Sequence, residues 1–414
     1  MITVFGLGFV GLTTALGFAH LGYKVYGVDV DEARKEVLRR GELPFLEPEM
    51  REVLQAQMGR NFFVEDQPAK AVADSDYVFY CVGTPYGENG RADLRYLFSA
   101  LDATLPVGRD GRFRVLVTKS TIPPGTTKEE ILPYVQVHAA NPGCFGVANN
   151  PEFLREGHCW QDFMGADRIV LGVSDERSKE MLSKLYQPMG VPIRCVTTNT
   201  GEFIKYLSNT MLATMISYAN EMAHVADVIG DIETAEAFRI LHMDKRWAGC
   251  AMTSYVYPGC GYGGYCLPKD TNALLTRVTD KGFRPSILEQ VIRTNDERPR
   301  TIAEKICMGL SDKDAVIGIL GLSFKPGSDD VRDTPAARII RSLNERGYRH
   351  IVAYDPVARD EFCRAYPELE VDMKASMEEV GREAQTIAIV TAWEEFRGAK
   401  DWEGKRLVDC RYML

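Results

Sequence analysis

The segment Gly6-Leu7-Gly8-Phe9-Val10-Gly11 constrains the fold more than any other stretch of these 414 residues. It follows an apolar β-branched run (ITVFG, 2–6) and opens a helical pattern that extends to Leu21 and stops at Gly22. In a G-x-G-x-x-G turn between strand and helix, the first glycine allows the tight turn. The second lets the backbone approach a pyrophosphate, and the third lets helix and strand pack closely. The helix start then presents unpaired N–H groups and a positive dipole end to the phosphates. Asp29 ends the next strand (KVYGVDV, 24–30). A carboxylate there accepts hydrogen bonds from ribose hydroxyls and repels a 2′-phosphate, so NAD rather than NADP is the expected cofactor. A glycine turn without a ligand is the competing reading.

The same alternation continues along the chain. YVFYCVG (77–83), RVLVTKS (114–120), RIVLGVS (168–174) and VPIRCV (191–196) read as further strands, interspersed with helical patterns. Strand–helix alternation of this kind predicts a parallel sheet covered on both faces. From Gly201 to Ile229 a long helix is expected, with Phe203, Ile204, Leu207, Met211, Met215, Met222 and Val225 near helical spacing. So many apolar positions predict packing between domains or against another subunit. From about Asp314 the alternation returns, with strands at 315–324, 350–356, 386–392 and 406–410 and a helix at 334–347. This second unit lacks the glycine signature of the first. The fold class is therefore α/β: two Rossmann-like, doubly wound parallel-sheet domains joined by a long central helix. The expected boundaries are 1–198 for NAD binding, 199–300 for the central segment and 301–414 for the second α/β domain.

The formal net charge of −9 argues against a nucleic-acid partner, which usually requires a basic face. The ten cysteines form no C-x-x-C pair, so no metal centre is expected. Scattered thiols, no basic and apolar leader, and no apolar run long enough to span a bilayer lead to the expectation of a cytoplasmic protein without a membrane partner.

Gly261-Tyr262-Gly263-Gly264-Tyr265-Cys266-Leu267-Pro268-Lys269-Asp270 is the most informative stretch for chemistry. Its glycines allow a bulky ligand close to the backbone. Pro268 suits the first turn of a helix and Asp270 its positive end. Cys266 then sits at a helix start beside Lys269, and both features favour the thiolate. The alternative is a glycine hairpin with an incidental cysteine. Asn150-Pro151-Glu152-Phe153-Leu154-Arg155-Glu156-Gly157 places two carboxylates just after a strand, while Glu202, Lys205 and Asn209 fall at helical spacing. A lysine and an asparagine on an apolar helix need partners if buried; a solvated stripe is the alternative. Thr84, after the strand ending at Cys81, and the Thr118, Ser120 and Thr121 cluster are expected to line the nicotinamide side.

Six segments together resemble the UDP-glucose/GDP-mannose dehydrogenase family over nearly the whole chain: the glycine turn, KSTIPPG (119–125), NPEFLREG (150–157), EFIKYLSN (202–209), GYGGYCLPKD (261–270) and FKPGSDDVR (324–332). The resemblance implies oxidation of the C6 alcohol of a nucleotide sugar, with UDP-glucose the foremost substrate, to a carboxylate. Two NAD and one water are consumed, through a thiohemiacetal and a thioester on Cys266. It implies Lys205 and Asn209 as oxyanion stabilisers, and Asp270 as the group that orders water, with Thr121 and Glu152 assisting. Gly6, Gly8, Phe9, Val10, Gly11, Asp29, Arg34, Thr84, Thr121, Glu156, Lys269 and Arg332 are implied at the cofactor. Glu152, Phe153, Leu154, Arg155, Lys205, Asn209, Arg246, Tyr255, Tyr257, Gly263, Lys325 and Arg411 are implied at the nucleotide sugar. The central helix resembles the family's dimer-forming helix, so a homodimer is expected.

The stretch from Arg246 to Gly261 is longer than the family pattern, and Cys260 replaces an aromatic residue. Both departures touch the loop that selects the sugar, so other UDP-N-acetylhexosamine or GDP-mannose substrates stay open. A single-step β-hydroxyacid dehydrogenase and a non-catalytic NAD sensor are the rival classes. The first has no use for a cysteine nucleophile, and the second none for Cys266, Lys205, Asn209 and Asp270 together.

Overall fold

In the computed structural model the described residues are 1–47, 49–87, 90–245, 247, 254–401 and 404–414, with only the backbone described at 399–401. Arg246, expected at the substrate, lies outside them, as does Cys250. The chain divides into two compact units, Met1–Ser208 and Asn209–Leu414.

The first unit is built on strands β1 (Ile2–Phe5), β2 (Val25–Val28), β3 (Phe62–Val64), β4 (Tyr77–Tyr80), β5 (Arg114–Thr118), β6 (Phe145–Asn149), β7 (Ile169–Val173) and β8 (Ile193–Val196). They form one sheet in the order β3-β2-β1-β4-β5-β6-β7-β8. Every residue of β1, β2, β5 and β6 is buried, as strands covered on both faces require. The chain leaves β1 in opposite directions, towards β2 on one side and β4 on the other, which opens a crevice at the carboxyl ends of β1 and β4. The sheet departs from the expected all-parallel form at one joint, where β6 and β7 pair antiparallel, Ala148 opposite Val173. The connection 150–168 explains this. Its helix, Cys159–Met164, is one and a half turns long and packs on the helix Phe9–His20, with Phe163 against Gly17 and edge-on to Phe18. A helix that short does not return the chain to the start of the sheet, as a parallel crossover must.

The second unit carries β9 (Ile317–Leu320), β10 (Ile351–Tyr354), β11 (Asp372–Met373), β12 (Thr386–Ile389) and β13 (Arg406–Asp409), all parallel in the order β11-β10-β9-β12-β13. This repeats the order of the first five strands of the first sheet, and the repeat extends to residues. Gly6-Leu7-Gly8-Phe9 after β1 corresponds to Gly321-Leu322-Ser323-Phe324 after β9, with φ of 86° at Gly6 and 96° at Gly321. Asp29 after β2 accepts the Leu7 N–H at 2.6 Å, and Asp355 after β10 accepts the Leu322 N–H at 2.7 Å.

The long helix runs from Thr198 to Ile229 through the boundary of the two units. Within the second unit Ala213, Ala219 and Ala223 form its buried side, whereas Met211, Tyr218, Val225, Val228 and Ile229 are exposed. Among the described residues no helix is long and apolar enough to cross a membrane.

Candidate active site

In the first unit the glycine turn does two separate jobs. A Cβ at Gly11 would lie 1.7 Å from the Gly6 carbonyl oxygen, so this glycine is required for helix and strand to meet at all. A Cβ at Gly8 meets nothing within 4 Å, so the chain itself places no demand for glycine there. Gly8 caps the helix Phe9–His20, and no side chain caps its amide donors or adds an acid to its first turn. An anion is the natural complement of such a helix start. Phe9 and Val10 form the first turn, with the Phe9 ring 4.1 Å from Phe45.

Asp29 is buried, and its Oδ2 accepts from Leu7 N and from the Arg34 guanidinium at 3.0 Å, while Oδ1 accepts from Asp31 N at 2.9 Å. Oδ1 keeps acceptor capacity for a ribose hydroxyl. Its counterpart Asp355 does not: Leu322 N, Ser323 N and Oγ, Trp393 Nε1, Val357 N and Ala358 N all donate to it. The open helix start and the acceptor at Asp29 fit a dinucleotide at the first turn, whereas Asp355 is fully committed to holding its own loop.

Beside this turn, the Thr84 hydroxyl donates to the Thr121 carbonyl at 2.9 Å, bringing the two threonines together. A small cavity is lined by Thr118, Ser120, Thr121, Asn149, Pro151 and Lys205, among others. Lys205 Nζ is 2.8 Å from Glu152 Oε1, both side chains 7% exposed. Glu152 Oε2 also accepts from Leu154 N at 2.6 Å. Burial would push the Glu152 carboxyl up, but the Lys205 charge and hydrogen bond hold it below the usual value. Phe153 stacks under the Arg168 guanidinium at 4.3 Å, and Arg155 is exposed and paired with Asp162 at 2.7 Å. Glu156 lies next to Gly157, whose N–H donates to Glu47. Cys81, half-buried just past the end of β4, has its thiol pushed up to about 12 by desolvation.

Two anchors escaped the sequence reading. Glu47 is buried and accepts from Gly157 N at 2.5 Å and Cys159 N at 3.2 Å, pinning the segment that carries Glu152 and Glu156. An acid between prolines in a non-periodic segment was the available signal. Glu202, which spacing groups with Lys205 and Asn209, instead accepts from Gly125 N at 2.6 Å and Thr127 N at 2.7 Å, tying the long helix to the segment after Thr121.

In the second unit Cys266 is the first residue of the helix Cys266–Asp280 and is exposed. Asp270, fully buried, lies one turn on. It pairs with the buried Lys269 ammonium and accepts from Asn209 Nδ2 at 2.6 Å. Burial alone would lower the Lys269 ammonium; the Asp270 charge and hydrogen bond outweigh it and leave it raised. Arg332 lies over the Tyr265 ring at 4.6 Å and pairs with Asp330 at 2.7 Å, and its carbonyl accepts from Gly264 N at 2.9 Å. The glycines before Cys266 approach the protein's own chain. A Cβ at Gly263 would be 2.4 Å from the Asp333 carbonyl oxygen, and Gly261 and Gly264 have φ of 100° and 77°. Lys325 Nζ lies 5.4 Å from the Phe324 ring, and the Tyr257 hydroxyl donates to the Tyr412 carbonyl at 2.8 Å. Tyr255 is half-buried, and the Arg411 guanidinium packs on Gly259.

The first unit thus carries a dinucleotide-type glycine turn and a buried lysine–carboxylate pair, and the second a buried lysine–aspartate–asparagine group and an exposed thiol at a helix start, each on a dinucleotide-type fold. Family comparison agrees. Residues 1–190 match the NAD binding domain of the UDP-glucose/GDP-mannose dehydrogenase family, residues 199–297 its central domain, and residues 318–414 its UDP binding domain. The chain belongs to this family. It is 36% identical over 408 residues to a UDP-glucose 6-dehydrogenase of Rhizobium meliloti (strain 1021), covering 96% of this chain and 90% of that protein. It is likewise 36% identical over 403 residues to one from Bacillus subtilis (strain 168), covering 96% and 88%. Its fold matches a UDP-glucose dehydrogenase from Pyrobaculum islandicum with a TM-score of 0.93 and 36% identity, over 99% of this chain and 94% of that one. A UDP-D-ManNAc dehydrogenase from Pyrococcus horikoshii matches with a TM-score of 0.85 and 26% identity, over 100% and 96%.

Proposed function

We propose that this protein oxidises the C6 alcohol of UDP-glucose to the carboxylate of UDP-glucuronate. NAD, when bound, supplies the hydride acceptor for the alcohol and again for the covalent hemithioacetal. The observation that carries the reading is Cys266, an exposed thiol on the first turn of a helix whose next turn holds the buried Lys269–Asp270 pair, to which Asn209 of the long helix donates. Its thiolate adds to the C6 aldehyde, forming a C–S bond and an alkoxide. Lys205 and Asn209 donate to that oxygen, favouring charge where it develops. Asp270 and Glu152 accept protons from water as it attacks the resulting thioester, and the Cys266 thiolate leaves. The residues implied at the cofactor and at the nucleotide sugar are proposed in those roles, with residues 1–198 serving NAD, 199–300 the central segment and 301–414 the nucleotide.

We also propose a homodimer and a cytoplasmic location. The nine described cysteines form no disulfide, which suits a reducing compartment. Met211, Tyr218 and Val225, seven residues apart, put an exposed apolar seam along the long helix, which a second copy would cover.

Counting NADH per substrate tests the activity. Two NADH per UDP-glucose are expected, and one would favour the single-step rival. Cys266→Ser should stop short of the carboxylate or accumulate a covalent adduct visible by intact mass. Full turnover by this variant would overturn the mechanism. The likeness to the Pyrococcus horikoshii enzyme makes a UDP-N-acetylhexosamine the second candidate, and a substrate panel decides between them.

A further inference from the structure

Cys260 and Cys410 are each 1% exposed and lie in the same apolar cluster over the second sheet. Cys260 Sγ is 3.8 Å from the Cys410 carbonyl oxygen, and Cys410 Sγ is 3.5 Å from the Val408 carbonyl oxygen. Cys260 Sγ thus reaches the main chain of Cys410, and each thiol acts on the protonation of the other. Neither has a part in the mechanism above. Cys260 begins the glycine loop that leads to Cys266, and Cys410 follows β13 and precedes Arg411. We propose that Cys260 and Cys410 form a reversible disulfide under peroxide, tying the loop that carries Cys266 to the end of β13.

Both sides of Cys260 are already held. Gly259 N donates to Asn220 Oδ1 at 2.7 Å, and its carbonyl accepts from Arg298 Nε at 2.8 Å. Tyr262 N donates to Asn295 Oδ1 at 2.7 Å. The backbone around Cys260 is therefore held with its thiol against the Cys410 carbonyl, and the ordering cost of closing the large chain loop is already met by the fold. Among the described residues, Arg298 Nη2 and Arg411 Nε are buried donors with no acceptor, so the surroundings favour negative charge on a neighbouring sulfur. The hydrogen bond from Cys410, then the Arg411 and Arg298 charges, hold the Cys260 thiol below its usual value, while Cys410 is pushed well above. The guanidiniums of Arg298, on the Gly259 carbonyl, and Arg411, against Gly259, stand beside Cys260, which makes it the attacking thiolate and Cys410 the resolving thiol.

The chemistry balances with hydrogen peroxide, an oxidant close to water in size that can reach a buried pair during local opening. The Cys260 thiolate attacks one peroxide oxygen. An S–O bond forms, the O–O bond breaks, and hydroxide leaves. Cys410, losing its proton, then attacks the sulfenic sulfur; the S–S bond forms and water departs. Two thiols and one peroxide give one disulfide and two waters, and a dithiol reverses the change.

A bond between the sulfurs would tie Cys260 covalently to the end of β13, next to Gly259, which already lies so close to Arg411 that a Cβ there would be 2.4 Å from its Nη1. The oxidised form should therefore turn over several-fold more slowly, a consequence that rests on the proposed function; the cross-link does not.

The test treats the full-length protein, and its Cys266→Ser variant to remove the exposed thiol, with hydrogen peroxide. Remaining thiols are blocked, and the digest is analysed by mass spectrometry without reduction. A linked Cys260–Cys410 peptide is expected, lighter by two hydrogen atoms than the separate peptides and abolished by dithiothreitol. Separate, blocked Cys260 and Cys410 peptides after oxidation would overturn the proposal, whatever the protein's substrate. In the wild type, part of the activity loss should resist arsenite, which reduces sulfenic acids, and yield to dithiothreitol. That part should be absent in Cys410→Ala, and its persistence there would overturn the regulatory role.

Discussion

Lys119 follows β5, is 5% exposed, and donates to Asn150 Oδ1 at 2.8 Å, an oxygen that also accepts from the Tyr186 hydroxyl at 2.5 Å. Burial pushes its ammonium down from 10.5 to about 8. Between these values the unfolded chain holds a proton that the native lysine has lost, so stability should rise with pH across that window. Below it the native state bears a buried charge. The full effect is about 3 kcal/mol, an upper bound. Lys119→Met should remove this part of the pH dependence. Denaturant midpoints of both proteins between about pH 7 and about pH 10 check it, and parallel curves would contradict it. Lys119 stands inside a recognised motif, yet nothing in the sequence says it is buried; that follows from Asn150 and Tyr186, both distant along the chain.

At the scale of elements, the glycine turn separates folding from binding. Gly8→Ala should fold with an unchanged Tm, because a Cβ there meets nothing within 4 Å. The same methyl would stand where the pyrophosphate approaches, so NAD affinity should fall about tenfold or more, at least about 1.4 kcal/mol. Gly11→Ala forces a methyl onto the Gly6 carbonyl and should cost more than about 2 kcal/mol of stability. Thermal melts and NAD titration of the two variants check both; equal melting losses would contradict the division. The helix and its strands were readable from the sequence, with strand ends trimmed: 315–324 becomes Ile317–Leu320. The antiparallel β6–β7 joint was not, because pairing direction depends on where the helix Cys159–Met164 packs rather than on the pattern of either strand.

For the molecule as a whole, the exposed side of the long helix carries the proposed dimer. Tyr218, 53% exposed, and Val225, 42%, lie on one face two turns apart. Tyr218→Glu together with Val225→Glu should convert a dimer to a monomer in light scattering while leaving the circular dichroism of the α/β units unchanged. An unaltered mass would show that another surface joins the copies. Within the second unit the alanine side of this helix is buried while Met211 and Val225 stay exposed, which leaves the apolar face that the proposed dimer would cover.

The sequence by itself determined whatever depends on local backbone demand. Positive φ and close approach call for glycine, which marked the turn at Gly6, Gly8 and Gly11 and the loop before Cys266. A helix start calls for small or acidic neighbours, which marked Cys266 and Asp270. The family was readable for the same reason, as local segments in a given order. Only the tertiary structure decided which partner each side chain takes. It gave Glu202 to the amides of Gly125 and Thr127, paired Lys205 with Glu152 and Asn209 with Asp270, and set Cys260 against Cys410. It also revealed the second unit as a repeat of the first, with the acid at Asp355 turned wholly inward. Such partners are separated by tens of residues, and a hydrogen bond or thiol contact between them exists only once packing has brought the two segments together.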